Sequence, residues 1–214
     1  MNIKKIEEID SSQMYKIYDK WPEIARESLE RIKITKNFES VEHLVVCGMG
    51  GSGAIGDIIS SVLSKEKIHV SVIKGYTLPM NVSKDTLLVA ISISGETEET
   101  LSALKQGYEK GCNIVAFASG GRLEKFCNGK KIDFYKLDMI HSPRASFMSF
   151  LFPIVKVLQD ILKIKGEEVD DTLKILDETR ENIGSSNLTD SNKALELAKW
   201  LEPTPVIYYP YGLK

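Results

Sequence analysis

The sequence predicts an α/β fold with a doubly wound parallel sheet flanked by helices, and two patterns support this prediction. From residue 44 onward, short apolar strands alternate with helical segments, which is typical of a parallel sheet with helices on both faces. Two of the strands are followed by unusual loops, residues 48–53 and residues 92–97, and each loop leads into a helix. Because ligands of such folds bind at the carboxyl ends of the strands, these loops are candidates for a functional site.

The individual elements follow in a regular order. The first forty residues are predicted to be helical, because Met14, Tyr18 and Trp21 recur at helical spacing and Pro22 suits the start of a second helix. Strands are then predicted at residues 44–47, 69–73, 86–91, 112–117 and 132–137. Helices are predicted at residues 54–63 and from residue 97, the second closed by Gly111 as a left-handed cap.

The pattern changes after residue 145 and predicts a second, helical part. Helices are expected at residues 145–163, 171–184 and 190–202, followed by a Pro-Thr-Pro break and a strand at residues 206–209. We therefore expect three parts, which are a first domain at residues 1–155 with its N-terminal helices, a helical connector at residues 156–203, and the first strand of a truncated second domain at residues 204–214. The alternative is that the predicted strand at residues 206–209 joins the single sheet of the first domain.

Composition and charge limit the class of protein and its partners. The chain has 214 residues, a hydrophobic content of 43% and a formal net charge of -2, which is a globular profile without the basic excess that nucleic acid requires. The longest apolar run, residues 145–164, is interrupted by a proline and several polar residues, and the N-terminus shows no hydrophobic signal segment. We therefore expect a cytoplasmic protein with no nucleic-acid or membrane partner.

Cysteine and histidine give no pattern for a metal or a disulfide framework. The three cysteines, Cys47, Cys112 and Cys127, are widely spaced. The three histidines do not pair with cysteine or aspartate at the spacing of metal ligands. We expect neither a metal nor a cofactor.

The clearest candidate site is residues 92–97 (SISGET), here called the serine loop, which follows the apolar strand at residues 86–91. Ser92, Ser94 and Thr97 place hydroxyls beside a glycine at the start of a predicted helix. The first amides of a helix lack intrahelical partners and carry the positive end of its dipole, so they favour an anion. The serine loop therefore predicts a phosphate site.

Two features of the serine loop leave a simpler interpretation open. Serine and threonine are common helix caps, so each hydroxyl could act as a cap alone. The loop and the turn after it also carry Glu96, Glu98 and Glu99, which would repel an anion if their carboxylates faced it. Acidic residues are, however, normal in the first turn of a helix, and their side chains can point to solvent while the amides face the ligand.

Residues 48–53 (GMGGSG), here called the glycine loop, match the dinucleotide-binding pattern G-x-G-x-x-G between a strand and a helix. A Rossmann enzyme should place an acid about twenty residues further on to hold the ribose. Residues 72–76 (VIKGY) contain none, although Lys74 could face the phosphate of NADP. The loop also lacks the lysine of a P-loop. A small phosphorylated metabolite fits better, and an NADP-dependent oxidoreductase is the alternative.

Arg144 is the third candidate, in the loop after the last predicted strand of the sheet. Pro143 restrains Ser142 and stiffens this loop. A guanidinium at this edge can hold a phosphate or stabilise a developing oxyanion, while the simpler interpretation is a surface charge. His141 has no orienting partner among its sequence neighbours, so we interpret it as structural.

Together these loops resemble the sugar isomerase (SIS) domain. The resemblance rests on residues 48–54 (GMGGSGA) and residues 92–100 (SISGETEET). With residues 142–145 (SPRA) added, the chain is most similar to the bifunctional phosphoglucose/phosphomannose isomerases of archaea and some bacteria. The resemblance covers residues 40–150 closely and implies the flavodoxin-like topology of SIS domains.

The resemblance implies a role for each candidate residue. The substrate-binding positions would be Gly51, Ser52, Ser92, Ser94 and Thr97, of which the last three hold the phosphate. The arginine that matches Arg144 would stabilise an enediol intermediate. Moving a proton between C1 and C2 of the sugar builds negative charge on the substrate oxygens, which a nearby fixed cation stabilises.

The activity implied by the resemblance is the interconversion of glucose 6-phosphate or mannose 6-phosphate with fructose 6-phosphate. Members of the family have two SIS domains, and their catalytic glutamate, histidine and lysine lie in the second. We therefore expect this chain to be the substrate-phosphate-binding half, with negligible activity when isolated. Members are dimers with shared sites, so we also expect a homodimer. A sugar-phosphate-binding module without catalysis is the alternative.

Overall fold

The computed structural model describes residues 2–38 and 40–202. Its helices are α1 (Ile3–Ile9), α2 (Met14–Asp19), α3 (Trp21–Arg31), α4 (Gly51–Val62), α5 (Glu98–Glu109), α6 (Gly121–Lys130), α7 (Phe147–Val157), α8 (Gln159–Leu162), α9 (Gly166–Ile183) and α10 (Lys193–Leu201), with a short 3-10 turn at Leu63–Lys65. Its strands are β1 (His43–Cys47), β2 (His69–Ile73), β3 (Thr86–Ser92), β4 (Asn113–Ala118) and β5 (Asp133–Lys136).

The five strands form one parallel sheet in the order β2-β1-β3-β4-β5. This confirms the predicted doubly wound α/β fold. Every residue of β3 is buried, as the apolar run before the serine loop predicts for a strand covered on both faces. The strand order reverses direction between β1 and β3, and a crevice opens at the carboxyl end of such a switch point. The glycine loop and the serine loop lie on its two sides.

Each face of the sheet carries its own hydrophobic layer. One layer contains the strand residues Val46 and Phe117 together with apolar residues of α4, α7 and α8. The other contains Leu88 and Ala116 with residues of α5 and α6. Because alternate residues of a strand point to opposite faces, helices on both sides fix the sheet, and the loops at its carboxyl edge start from rigid strands.

The end of α5 follows the sequence prediction. Gly111 has a φ of +72°, in the region that glycine adopts without strain. Its amide donates to Tyr108 O at 3.0 Å, and the amide of Cys112 donates to Gly107 O at 3.0 Å. These two bonds form a Schellman motif, so the predicted left-handed cap is confirmed.

The predicted helix at residues 145–163 is wrong in one respect, because the structure divides it into α7 and α8. Leu158 lies between them with a φ of -97° and a ψ of 11°. This turn buries Val157 and Leu158 and also Ile161 and Leu162, which a straight helix would spread around more of its circumference. Burial of apolar side chains therefore sets the break.

Two other helices in the second half differ from prediction at their starts. The helix predicted from residue 171 begins at Gly166, where Glu168 Oε2 accepts the Lys165 amide at 2.8 Å. The helix predicted from residue 190 begins at Lys193, because Asn192 Oδ1 caps the Leu195 amide at 2.9 Å. Local capping bonds thus place both starts. The strand predicted at residues 206–209 lies outside the described residues.

Contacts along the backbone divide the chain into two compact units. The larger unit, residues 28–164, contains the whole sheet, and the smaller unit joins the first 27 residues to the helices after residue 164. Within the smaller unit, Arg26 pairs with Asp177, and Arg180 donates to Glu23 Oε1 at 2.6 Å. The domain boundaries predicted from the sequence stay a prediction. In the part of the chain that the structure describes, no helix is long and apolar enough to cross a membrane.

Candidate functional site

The glycine loop turns sharply between β1 and α4 and packs against the end of β3. Gly50, which precedes the first residue of α4, has a φ of +54° and a ψ of -124°, a conformation that only glycine adopts readily. A Cβ on Gly48 would lie 2.9 Å from Ile91 O and 2.9 Å from Ser52 Cβ. The glycine loop backbone is therefore in direct contact with the strand that carries the serine loop.

Gly51 and Ser52 form the first turn of α4 and lie at the mouth of the crevice. Gly51 is exposed, and Ser52 is buried with 5% of its surface exposed. Among the described residues, no side chain caps the first amides of α4. Backbone N–H groups in a glycine turn at a helix start form a concave donor surface that suits a small anionic or polyhydroxyl ligand.

The serine loop is held by its own hydroxyls. Ser92 is almost fully buried, with 1% of its surface exposed. Its Oγ lies 2.9 Å from Thr97 Oγ1 and accepts the Gly95 amide at 3.1 Å, while Ser94 Oγ accepts the Glu96 amide at 3.3 Å. These bonds fix a tight turn in which Ser94 and Thr97 keep part of their surface exposed.

The start of α5 shows that the Thr97 side chain does not act as a helix cap. Thr97 occupies the N-cap position of α5, but its side chain makes no capping hydrogen bond. Its hydroxyl bonds to Ser92 instead. Within the described chain, the first amides of this twelve-residue helix therefore have no side-chain cap, which leaves them available as anion donors at the positive end of the dipole.

A second loop, which sequence analysis missed, packs onto the serine loop. It joins β4 to α6 through Ser119 and Gly120, and Gly121 follows as the first residue of α6. A Cβ on Gly95 would lie 1.9 Å from Gly120 O, and one on Gly121 would lie 2.6 Å from Glu96 Oε1. The Leu123 amide also donates to Gly95 O at 3.0 Å. The glycine pair one residue after a buried strand was the available sequence signal, since glycine near a strand end marks close backbone approach.

Arg122, the second residue of α6, binds Glu96 of the serine loop and Glu98 of α5. Its Nε donates to Glu96 Oε2 at 2.6 Å, its Nη1 to Glu98 Oε1 at 2.8 Å, and its Nη2 to Glu96 O at 2.8 Å. Hydrogen bonds from Arg122 lower the pKa of Glu96 below its ordinary value. Glu99 interacts with the hydroxyl of Tyr76 and raises the pKa of that phenol.

Arg144 lies in the turn between β5 and α7 and is exposed. It makes no hydrogen bond or ion pair with other residues of the described chain. Its loop is closed by the buried Ser146, whose Oγ donates to Ser142 O at 2.7 Å and accepts the Ile140 amide at 2.8 Å. The Phe147 ring approaches to 3.8 Å from a Cβ built on Gly51, so the turn that carries Arg144 leads directly to the glycine loop.

The structure argues against the NADP alternative. β2 ends at Ile73 without an acidic residue. Lys74 Nζ lies 2.5 Å from Asp57 Oδ2, and its aliphatic stem lies 3.0 Å from a Cβ built on Gly53. The lysine that would face an NADP phosphate is thus already paired with an acid, which reduces its attraction for an anion. The described residues also contain no group of three or more acidic, cysteine or histidine side chains that could hold a metal ion.

The sheet order and the loops at its carboxyl edge define the class of the protein. It is a flavodoxin-like α/β domain with polar, glycine-rich loops at the β1–β3 switch point, where this class binds small ligands. Residues 37–158, more than half of the chain, match the SIS domain family. The chain belongs to this family.

The curated relatives agree with this assignment. The chain is 33% identical over 186 residues to the bifunctional phosphoglucose/phosphomannose isomerase of Caldicellulosiruptor bescii, covering 84% of this chain and 54% of that protein. It is 32% identical over 181 residues to the protein of the same name from Thermoplasma volcanium, covering 84% of this chain and 55% of that protein. The chain therefore spans about half the length of the curated relatives it matches.

A solved structure shows the same fold at low sequence identity. The C-terminal domain of glucosamine-fructose-6-phosphate aminotransferase from Francisella tularensis superposes with a TM-score of 0.54 at 18% identity, covering 79% of this chain and 54% of that chain. At this identity the likeness concerns the fold alone. It agrees with the parallel sheet order described above.

Proposed function

We propose that this chain is the substrate-phosphate-binding half of an aldose–ketose isomerase that interconverts glucose 6-phosphate or mannose 6-phosphate with fructose 6-phosphate. The names of relatives that share about a third of its residues support the reaction. Their greater length supports the assignment of this chain to one half of the site. We extend the proposal to a homodimer in the cytoplasm, with no cofactor.

The observation that carries the proposal is the uncapped start of α5 behind the serine loop. Thr97 bonds to Ser92 rather than to the first amides of the helix, so those amides and the hydroxyl of Ser94 can converge on the oxygens of a phosphate. Ser92 is too buried to reach far into the crevice. We assign Ser94 and Thr97 to the phosphate itself and Ser92 to the shape of the loop.

The glycine loop and Arg144 would then contact the sugar. Gly51 is exposed at the first turn of α4 and can offer its backbone amide, and Ser52 lies beside it. Arg144 follows β5 at the same edge of the sheet and is exposed, so its guanidinium is available to stabilise the charge of an enediolate. The group that moves the proton is not assigned to this chain.

Calorimetric titration of the chain tests the proposal. We expect glucose 6-phosphate, mannose 6-phosphate and fructose 6-phosphate to bind, while unphosphorylated glucose does not. The double substitution Ser94→Ala and Thr97→Val should weaken binding of all three sugar phosphates by about thirtyfold or more, since each of the two lost charge-assisted hydrogen bonds is worth about 1 kcal/mol or more. Ser64→Ala, in the 3-10 turn that follows α4, removes an exposed hydroxyl and is the matched control.

Each result has a definite meaning for the proposal. Binding of glucose as tight as that of glucose 6-phosphate would exclude the phosphate site. Robust isomerase turnover by the isolated chain would exclude its assignment as one half of the enzyme. Heat released on titration with NADP, in the absence of any response to sugar phosphates, would favour the oxidoreductase alternative.

A further inference from the structure

The proposed phosphate site has an electrostatic problem. Three acidic residues, Glu96, Glu98 and Glu99, lie in the serine loop and the first turn of α5. A carboxylate in the first turn favours the helix dipole, but it also repels a phosphate that carries up to two negative charges. Unless these charges are directed elsewhere or neutralised, they would offset the attraction of the helix amides.

Two of the three carboxylates are bound by Arg122, which lies outside the serine loop. Arg122 donates to Glu96 Oε2 at 2.6 Å and to Glu98 Oε1 at 2.8 Å. Glu99 interacts with Tyr76, which lies in the connection between β2 and β3. One cation thus faces two acids.

Arg122 also holds the backbone of the serine loop. Its Nη2 donates to Glu96 O at 2.8 Å, and its own amide donates to Glu96 Oε1 at 3.0 Å. The bonds from Leu123 N to Gly95 O and from Ser119 N to Ile93 O, both 3.0 Å, join the same two loops. The serine loop and the β4–α6 loop therefore form one layer, and Arg122 connects them through both backbone and side-chain atoms.

The geometry points to Arg122 as a positioning residue of the phosphate site: it holds the serine loop in place and offsets part of the negative charge of Glu96 and Glu98. This inference rests on the proposed function for the identity of the anion. Arg122 binds the carboxylates of Glu96 and Glu98, so its proposed effect on the anion acts through these two side chains.

Charge-balanced variants separate the two parts of this role. Arg122→Gln leaves both carboxylates without their cation. Arg122→Lys keeps the charge but loses the two-pronged contact of the guanidinium. The double variant Glu96→Gln with Glu98→Gln keeps acceptors for Arg122 and removes both negative charges. The triple variant adds Arg122→Gln to these two substitutions, so that the three side chains carry no charge. Lys174→Gln, which breaks an exposed pair with Asp171 on α9, is the control.

The first measurement is the Kd for glucose 6-phosphate and for inorganic phosphate at low and high salt. We expect Arg122→Gln to weaken the binding of glucose 6-phosphate and of inorganic phosphate by about tenfold at ~0.1 M salt. This loss of affinity should shrink at ~1 M salt, where the Debye length falls to about 3 Å. The triple variant should recover much of the affinity, and the double glutamine variant should bind at least as tightly as the unmodified chain. The Lys174→Gln control should bind both ligands with an unchanged Kd.

The second measurement is hydrogen exchange of the Gly95 and Leu123 amides, which needs no ligand. We expect faster exchange in both Arg122→Gln and Arg122→Lys, because loop positioning depends on the guanidinium fork. Unchanged exchange in Arg122→Gln would overturn the positioning role, and unchanged phosphate affinity would overturn the charge role. If Arg122→Gln does not fold, weaker phosphate binding by the double glutamine variant also contradicts the charge role.

The two measurements also distinguish this inference from the proposed function. Binding of inorganic phosphate without preference for a hexose phosphate would overturn the proposed substrate while the Arg122 comparison still holds. A chain that binds no phosphate at all would overturn both the proposed function and the charge role. The exchange comparison would then still decide whether Arg122 positions the serine loop.

Discussion

The hydroxyls of Ser92 and Thr97 lie 2.9 Å apart and share a hydrogen bond. Ser92 is the last residue of β3 and Thr97 directly precedes α5, so this bond closes the serine loop across its two ends. The same Ser92 Oγ accepts the Gly95 amide at 3.1 Å. A loop ordered by its own side chains loses less conformational freedom when it binds a ligand.

Ser92→Ala should lower the free energy of unfolding by about 1–3 kcal/mol, because the Gly95 amide and the Thr97 hydroxyl lose a buried partner. Urea unfolding followed by circular dichroism measures this change. Ser64→Ala, which removes an exposed hydroxyl, should stay within about 0.5 kcal/mol of the unmodified chain. Equal stability of the two variants would show that the Ser92 bond does not hold the loop.

Gly95→Ala should destabilise the chain by about 3 kcal/mol or more, since the new Cβ meets a carbonyl oxygen in a left-handed backbone. That Cβ would lie 1.9 Å from Gly120 O, and the φ of Gly95 is +72°. Gly129→Ala is the matched control, because nothing lies within 4 Å of its Cβ position in α6. The control should gain about 0.5–1 kcal/mol from lower unfolded-state entropy. Thermal unfolding of both variants measures the contrast, and a stable Gly95→Ala chain would contradict the tight contact.

Arg144→Gln should leave folding stability within about 0.5 kcal/mol, because the side chain is exposed and unpaired within the described residues. The substitution should instead reduce the stabilisation of negative charge near C1 and C2 of the substrate. We expect about tenfold weaker binding of a five-carbon aldonate phosphate, whose carboxylate resembles the enediolate, and little change for glucose 6-phosphate. Calorimetry with both ligands measures this. An equal loss of affinity for the aldonate phosphate and for glucose 6-phosphate would instead indicate that Arg144 contacts the phosphate group.

The Glu96–Arg122 contact should give stability a definite pH dependence. Hydrogen bonds from Arg122 hold the pKa of Glu96 below its ordinary value of 4.5. A carboxylate whose folded pKa is lowered adds stability above its unfolded pKa and loses it as the pH falls through the folded value. The advantage of the unmodified chain over Glu96→Gln should therefore be present at about pH 7 and shrink below about pH 4.5. Thermal unfolding across this range measures the difference, and a constant difference would contradict the prediction.

The sequence predicted the parts of this structure that depend on local patterns. The buried strand before the serine loop, the sheet class and the cap at Gly111 all follow from neighbouring residues. The break at Leu158 did not follow, because it depends on which side chains the sheet can bury. The start at Gly166 was missed because Gly-Glu-Glu reads as polar surface until the Glu168 contact with the Lys165 amide is known.

The candidate site was predictable only in part for the same reason. The serine loop and the glycine loop are local motifs, and the structure places them on adjacent strands of the sheet. Arg122 lies 26 positions from Glu96 in the sequence, and only the close approach of Gly95 to Gly120 brings them together. The roles assigned to Gly51, Ser52 and Arg144 stay predictions, with the binding measurements above as their test.

The interlocked loops on one side of the crevice contrast with the connection between β2 and β3 on the other. Gly95 and Gly120 leave no room for an inserted residue without separating two strands. The β2–β3 connection is anchored by the buried Leu78 and Val82, yet its tip, Met80, is 93% exposed. Changes of loop length should therefore accumulate in the β2–β3 connection, and the β4–α6 side should evolve by side-chain replacement alone.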